Sequence, residues 1–316
     1  MQHCSKVSKL SLRIGFEGFW STFDPEASLF TRVLRERLGL DVDVVRSKDQ
    51  PVDLLIESVF QLNSLTKKFS SYAKSRFSPR FAAEYEMLNA YGHNPRVSRV
   101  AGRRIWFTGE NKRPPSGLAD GSLSFDVSDE VTKNLYFPFW MYRVNWGLEH
   151  QEQVDALLPE RLASIRPAVV RERRACAFSR TREPSRSRIY RAVAQELPLD
   201  LYGAGNGRPN VDKQSVSLSY AFQVCPENDL YPGYVTEKPL EAWGSGNIPI
   251  WQGLDSHASL NPRAVLDVTG LTVSEISAKL ASLGTDEQVA MQRQPILREV
   301  PSLTAFEEFL GDFVNH

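Results

Sequence analysis

From residue 175 onward the sequence alternates between two kinds of stretch. Short apolar runs at 175–178, 199–202, 221–225 and 248–251 are separated by segments with helical spacing at 187–196, 212–219 and 236–243. Strands buried on both faces read as unbroken apolar runs, and parallel neighbours need a crossover of about a dozen residues, usually a helix. This order restricts the second half to a doubly wound α/β sheet.

The first half begins in the same way. Residues 9–16 alternate as a strand; Leu29, Phe30, Val33, Leu34 and Leu38 recur at helical spacing before Gly39; residues 42–45 and 53–60 read as further strands. A mostly helical stretch is read over 61–99, and the strand at 103–108 ends in Gly109-Glu110-Asn111. Short extended pieces are read at 122–126 and 135–141, and a helix within 148–165 ahead of Pro167. The expected division is an N-terminal Rossmann-like domain over 1–165 and a C-terminal one over 166–300. A helix over 301–316 carries the stripe Leu303, Phe306, Phe309, Leu310 and Phe313 and is expected to return towards the first domain.

Lysine plus arginine equal aspartate plus glutamate, 38 each, so no global field recruits nucleic acid. Three widely spaced cysteines (Cys4, Cys176, Cys225) fit reduced thiols better than a disulfide framework, and no zinc spacing is present. The N-terminal residues lack the apolar core of a secretory signal and no stretch approaches a transmembrane span. The expectation is a soluble, cytoplasmic protein without a membrane anchor, leaving room for peripheral membrane contact. Charge is nonetheless uneven, with ten arginines and two acids from Arg161 to Arg191. A phosphate-rich ligand and a solvated basic face both account for that.

The stretch Tyr-Pro-Gly-Tyr-Val-Thr-Glu-Lys-Pro-Leu-Glu-Ala-Trp-Gly-Ser-Gly-Asn-Ile-Pro-Ile-Trp-Gln-Gly at 231–253 places Thr236-Glu237-Lys238 where a loop becomes a helix. Free N–H groups there attract an anion, and Lys238 adds a full charge suited to a diphosphate. An ionised Glu237 accepts from two hydroxyls, such as those of a ribose. The same tripeptide also fits a plain helix start, with Thr236 as N-cap and Glu237 complementing the dipole.

Immediately before it, residues 220–229 read Tyr-Ala-Phe-Gln-Val-Cys-Pro-Glu-Asn-Asp. Together the two segments resemble the α-1,3-fucosyltransferase signature, in which Phe-Glu-Asn-Ser precedes Tyr-Val-Thr-Glu-Lys and a Pro-containing strand ending in Gly. The spacing matches without a gap. Phe107-Thr-Gly-Glu-Asn111, followed by Pro114 and Phe125-Asp126, resembles the family's Thr-Gly-Glu-Asn block.

The resemblance implies a GT-B fold, two Rossmann-like domains facing a central cleft, and an inverting transfer of L-fucose from GDP-β-L-fucose to a hydroxyl of a GlcNAc-containing, N-acetyllactosamine-like oligosaccharide. It implies Glu110 as the base for that hydroxyl, a residue that equally fits a structural turn. It implies Arg186 and Lys238 at the diphosphate, with Arg182 and Arg188 as neighbouring alternatives to Arg186. Asn228 and Tyr234 would bond the diphosphate or fucose, and Glu237 the ribose. No metal is expected, because the Asp-x-Asp step, Asp41-Val-Asp43, lies in an early strand of the other domain. Trp20 and Phe23 are weaker candidates for stacking on an acceptor sugar, and together with Phe19 they also fit caps on the core. Pro226 stands where the family has Phe and Asp229 where it has Ser, which puts an extra acid beside the expected diphosphate. Two other readings stay open: a GT-B transferase using a different nucleotide sugar, and a catalytically silent nucleotide- or glycan-binding protein.

Overall fold

The computed structural model describes residues 11–47, 49–59, 100–112, 119–149, 155–179, 184–208 and 211–314. The helical reading over 61–99 lies outside the described residues. The chain divides into unit 1, made of Met1–Phe137, Leu148–Gln151 and Leu303–His316, and unit 2, made of Pro138–Gly147 and Glu152–Ser302.

Unit 1 holds a six-stranded parallel sheet built from β1 (Leu12–Glu17), β2 (Val42–Val44), β3 (Val52–Ser58), β4 (Ala101–Phe107), β5 (Gly121–Ser124) and β6 (Asn134–Tyr136), in the order β2-β1-β3-β4-β5-β6. Helix α1 (Leu29–Arg32) starts at Ser28, whose hydroxyl accepts from the Thr31 N–H. It widens into a π-turn over Val33–Arg37, closed by the Leu38 N–H on the Val33 carbonyl at 3.0 Å. Of the five apolar positions read as its inner face, Leu29, Phe30, Val33 and Leu34 are buried and Leu38 is half-buried.

Unit 2 begins with α2 (Phe139–Arg143), a short 3-10 turn (Asp155–Leu157) and α3 (Pro159–Leu162). Its parallel sheet contains β7 (Ala175–Phe178), β8 (Leu199–Tyr202), β9 (Phe222–Pro226), β10 (Ile248–Gln252) and β11 (Leu266–Asp267), in the order β11-β10-β9-β7-β8. The helices are α4 (Pro184–Glu196), α5 (Lys213–Ser217), α6 (Lys238–Gly244), α7 (Val273–Ser282) and α8 (Thr285–Arg293). Alternate strand residues such as Ala175, Ala177, Phe222, Val224, Ile248 and Ile250 pack with Ile189 and Val193 of α4 and Ile276 and Leu280 of α7 in one core. α7 opens with a reciprocal capping box, Thr272 with Glu275.

Three local expectations differ from the structure. The extended piece read over 135–141 is only half strand: Pro138, in extended geometry, acts as the N-cap of α2. The helix read within 148–165 is a 3-10 turn and a separate short helix, because Pro159 starts a helix more readily than it continues one. The chain also enters unit 2 before residue 165. Arg143 of α2 lies 3.6 Å from Glu241 of α6, and the Asn145 N–H bonds the Leu157 carbonyl at 2.9 Å, which ties 138–147 into unit 2.

The last helix, α9 (Thr304–Val314), belongs to unit 1. Its stripe Phe306, Leu310 and Phe313 is buried, with Phe306 stacked on Phe137 at 4.6 Å and tilted against Phe30 at 5.7 Å.

Candidate active site

In the second sheet, β8 lies on one side of β7 and β9 on the other, so the chain reverses direction across the sheet between β7 and β9. Ligands of open α/β sheets bind at the strand ends beside such a switch point. Ser179 directly follows β7, while Glu227 and Asn228 directly follow β9. The helices after these strands bring Arg186, in the first turns of α4, and Lys238, the first residue of α6.

These side chains meet. Arg186 donates through Nη2 to Asn228 Oδ1 at 2.7 Å and through Nη1 to Ser179 Oγ at 3.1 Å. Lys238 Nζ donates to the same Asn228 Oδ1 at 3.0 Å. Tyr190, one turn along α4, lies beside Arg186 and Ser179, and burial raises its pKa. Two cations therefore converge on one neutral oxygen at a strand-end crevice, an arrangement that presents concentrated positive charge to an anion.

Behind Lys238 lies Glu227, whose side chain is fully buried. Its Oε1 accepts from the Thr236 N–H at 2.9 Å and Trp251 Nε1 at 3.2 Å. Its Oε2 accepts from Thr236 Oγ1 at 2.6 Å and Lys238 Nζ at 3.1 Å. Thr236 is thus not the helix cap allowed by the sequence: Glu237 occupies the N-cap position, without a side-chain capping bond. α6 is only seven residues long, so the side-chain cations rather than a helix dipole supply the charge here.

Glu237 is half-buried. Burial raises its pKa, the Glu241 carboxylate one turn away adds to the rise, and Lys238 and Lys213 oppose it. Lys213 in turn salt-bridges Glu241. Burial presses the Lys213 pKa down, but Glu241 and then Glu237 outweigh that and leave it raised. A carboxylate of this kind, without a cap to serve, is open to hydroxyl donors.

Tyr234 is 2% exposed and follows Gly233, which takes a positive φ of 82°. Asp229, the extra acid, is exposed, and its Oδ1 accepts from the Leu230 N–H at 2.8 Å, closing its own turn. Pro226 is the last residue of β9 and pairs in register with Gln252.

In unit 1, Glu110 sits in the turn after β4. The Thr108 hydroxyl and the Lys112 N–H both donate to the Glu110 carbonyl, at 2.7 and 2.6 Å, and the residue is partly exposed. Trp20 and Phe23 are partly exposed and packed around buried Phe19, with Phe19 stacked on Phe23 at 4.0 Å and Trp20 edge-on to Phe23 at 5.1 Å. They cap the aromatic core that continues to Phe107 and Phe30.

The arginine-rich segment divides by role. Arg166 lies over the Trp243 ring at 4.1 Å and bonds the carbonyls of Gln292 and Trp243; burial lowers its pKa to about 10. Arg171 bonds the carbonyls of Tyr220 and Ser245, Arg173 those of Leu280 and Leu283, and Arg174 pairs with Asp200 at 2.8 Å. These four tie the segment ahead of β7 to the helices, turns and edge strand around it. Arg182 lies outside the described residues, and Arg186 is the arginine that reaches Asn228.

Residues 171–292 match the C-terminal domain model of glycosyltransferase family 10 (fucosyltransferase). The matched segment, which holds the second sheet and its helices, is thus similar to the C-terminal domain of that family. An α-(1,3)-fucosyltransferase, FucT, of Helicobacter pylori is 30% identical over 196 residues, 52% of this chain and 41% of its own. Human α-(1,3)-fucosyltransferase 7 is 26% identical over 175 residues, 53% of this chain and 47% of its own. The match thus spans about half of this chain and less than half of each of these relatives. A crystal structure of an α1,3-fucosyltransferase superposes with a TM-score of 0.68 at 19% identity, covering 100% of this chain and 93% of that one. A crystal structure of an α1,3-fucosyltransferase with GDP-fucose gives a TM-score of 0.66 at 17% identity, covering 100% of this chain and 94% of that one. The fold is GT-B, with two Rossmann-like units. Arg186, Asn228, Glu237 and Lys238 all fall inside the family 10 domain. So does Glu227, which the motif contains but sequence reasoning passed over. The signal was an acid directly after an apolar strand, with Thr236 and Trp251 among the residues that follow.

Proposed function

We propose that this protein is a member of glycosyltransferase family 10 and an inverting glycosyltransferase that moves L-fucose from GDP-β-L-fucose to a hydroxyl of a GlcNAc-containing oligosaccharide. The observation that carries the reading is the convergence of Arg186 and Lys238 on Asn228 Oδ1 at the β7/β9 switch point, one residue from Glu237. Donor recognition by the relative whose structure contains GDP-fucose supports the choice of nucleotide sugar.

In this reading the two cations face the diphosphate and stabilise the charge that builds on it as the glycosidic bond lengthens. Asn228 holds them together. Glu237 accepts from the ribose hydroxyls. Glu110 takes the proton of the acceptor hydroxyl as that oxygen displaces GDP in line, so one displacement inverts the anomeric centre. We assign the charge stabilisation to side chains rather than to a metal ion, since both cations are positioned by neutral or buried partners that need no ion to order them.

The test is a donor screen. The protein is incubated with several GDP- and UDP-sugars and an N-acetyllactosamine mixture, with and without chelator, and products are read by mass. Fucosylated product from GDP-fucose alone, undiminished by chelator, is the expected result. Transfer from a UDP-sugar would replace the donor assignment, and activity lost to chelator and restored by Mn²⁺ would overturn the metal-free one. In the same assay Glu110→Gln should lower transfer by roughly two to four orders of magnitude while leaving GDP affinity near normal.

A further inference from the structure

We infer that Glu227 is a positioning residue for donor binding: its buried carboxylate sets where the Lys238 ammonium stands and pins the loop 228–235 through which Asn228 is presented. The inference rests on the donor-site reading above.

The four bonds to Glu227 come from three separate places in the chain. Thr236 lies at the end of the loop, Lys238 at the start of α6, and Trp251 in β10. The carboxylate side chain has no exposed surface, and each of its oxygens accepts two donors. Only one of the four donors carries charge, so Lys238 is the counter-ion of an otherwise unneutralised buried carboxylate. Separating such a pair is costly.

An ammonium has three donors. In Lys238 one is directed to Glu227 Oε2 and one to Asn228 Oδ1. Those two fix the tetrahedron, and the third N–H points away from both acceptors. The Lys238 side chain is 20% exposed, so this cation retains an open side. Glu227 thereby acts through Lys238 on an incoming phosphate without touching it. It also holds Thr236, two residues before Lys238, by both its N–H and its hydroxyl, so the loop's exit cannot shift without breaking bonds to the same carboxylate.

Glu227→Gln preserves volume but keeps only one oxygen. Its amide N–H₂ must face either Thr236 N–H and Trp251 Nε1 or Thr236 Oγ1 and Lys238 Nζ, and donor meets donor on that side. Nothing then neutralises Lys238 from behind.

The experiment titrates GDP against wild type, Glu227→Gln, Lys238→Ala and the double variant, with thermal melts confirming folded protein and a crystal structure of Glu227→Gln. Glu227→Asp is included in case the glutamine variant does not fold. Glu227→Gln should weaken GDP roughly ten- to a hundredfold, and this effect should shrink in the Lys238→Ala background to the part carried by the loop. Lys238 Nζ or the loop 228–235 should be displaced in the variant structure. Equal weakening by Glu227→Gln in the presence and absence of Lys238 would overturn the inference, since a purely structural residue gives independent losses. So would unmoved Nζ and loop positions. GDP affinity unchanged by Lys238→Ala would instead sink the donor-site reading, while the crystallographic displacement still tests Glu227.

Discussion

Arg186 and Lys238 share one acceptor, and this makes their contributions to nucleotide binding interdependent. Their donor nitrogens lie 2.7 and 3.0 Å from Asn228 Oδ1, so they are within the sum of those distances of each other. At an effective dielectric of about 20, two like charges at that separation repel by about 3 kcal/mol; the partial exposure of both side chains screens this, making it a ceiling. Each charge-assisted bond to a phosphate contributes about 1.5–3 kcal/mol, so either alanine variant should weaken GDP roughly ten- to a hundredfold. When one cation is removed, however, the other loses its like-charged neighbour and half its competition for Asn228. It can then centre on the diphosphate and recover part of the loss.

The double variant has no such recourse. Its loss should therefore exceed the sum of the single losses, by about 0.5–1.5 kcal/mol. Isothermal titration of GDP into wild type, Arg186→Ala, Lys238→Ala and the double variant measures all four corners. Repeating it at raised salt should weaken the wild type more than the double variant, because exposed charges are screened. Losses that add to within about 0.3 kcal/mol would refute the coupling through Asn228. A double variant that binds GDP as tightly as wild type would remove both residues from the donor site.

Three further outcomes are expected. Because the folded pKa of Glu237 lies above its unfolded value, the native state binds the proton more tightly, and stability falls as pH rises from about 4.5 through the folded value. Glu237→Gln should therefore melt higher than wild type at neutral pH without nucleotide, by a margin that closes towards about pH 4, while its stabilisation by GDP shrinks; a lower melting point at neutral pH would contradict this. Phe306→Ala should cost about 3–5 kcal/mol and lower the melting temperature by roughly 6–20 °C, since the ring is buried between Phe137 and Phe30; an unchanged melt would show that α9 does not support unit 1. Gly203→Ala forces a side chain at φ 94° and a Cβ 2.3 Å from the Ser179 carbonyl oxygen, so it should destabilise by roughly 1–3 kcal/mol and, by shifting Ser179, weaken GDP binding as well; melts and titration together check both.

The inner strands of unit 2 could be read from the sequence because they are buried on both faces, so 175–178, 221–225 and 248–251 stand out without any knowledge of their neighbours. α2 could not, since Phe-Pro-Phe-Trp-Met-Tyr has the composition of a strand and only the extended Pro138 backbone turns it into a helix. The site shows the same division. Lys238 and Glu237 stand out by residue type beside a loop-to-helix junction, whereas Arg186 is one of ten arginines in its segment and stands out only through the family resemblance. The burial of Tyr234, by contrast, is not written in its residue type, since a tyrosine at the end of a loop suits solvent and core alike. Glu227 was harder still. An acid in a loop reads as solvated until Thr236, Lys238 and Trp251 are seen to converge on it, and those donors are spread over the sequence from 236 to 251 with no periodicity connecting them. What a ligand touches is written in residue types, whereas what holds those residues still is a property of the folded chain.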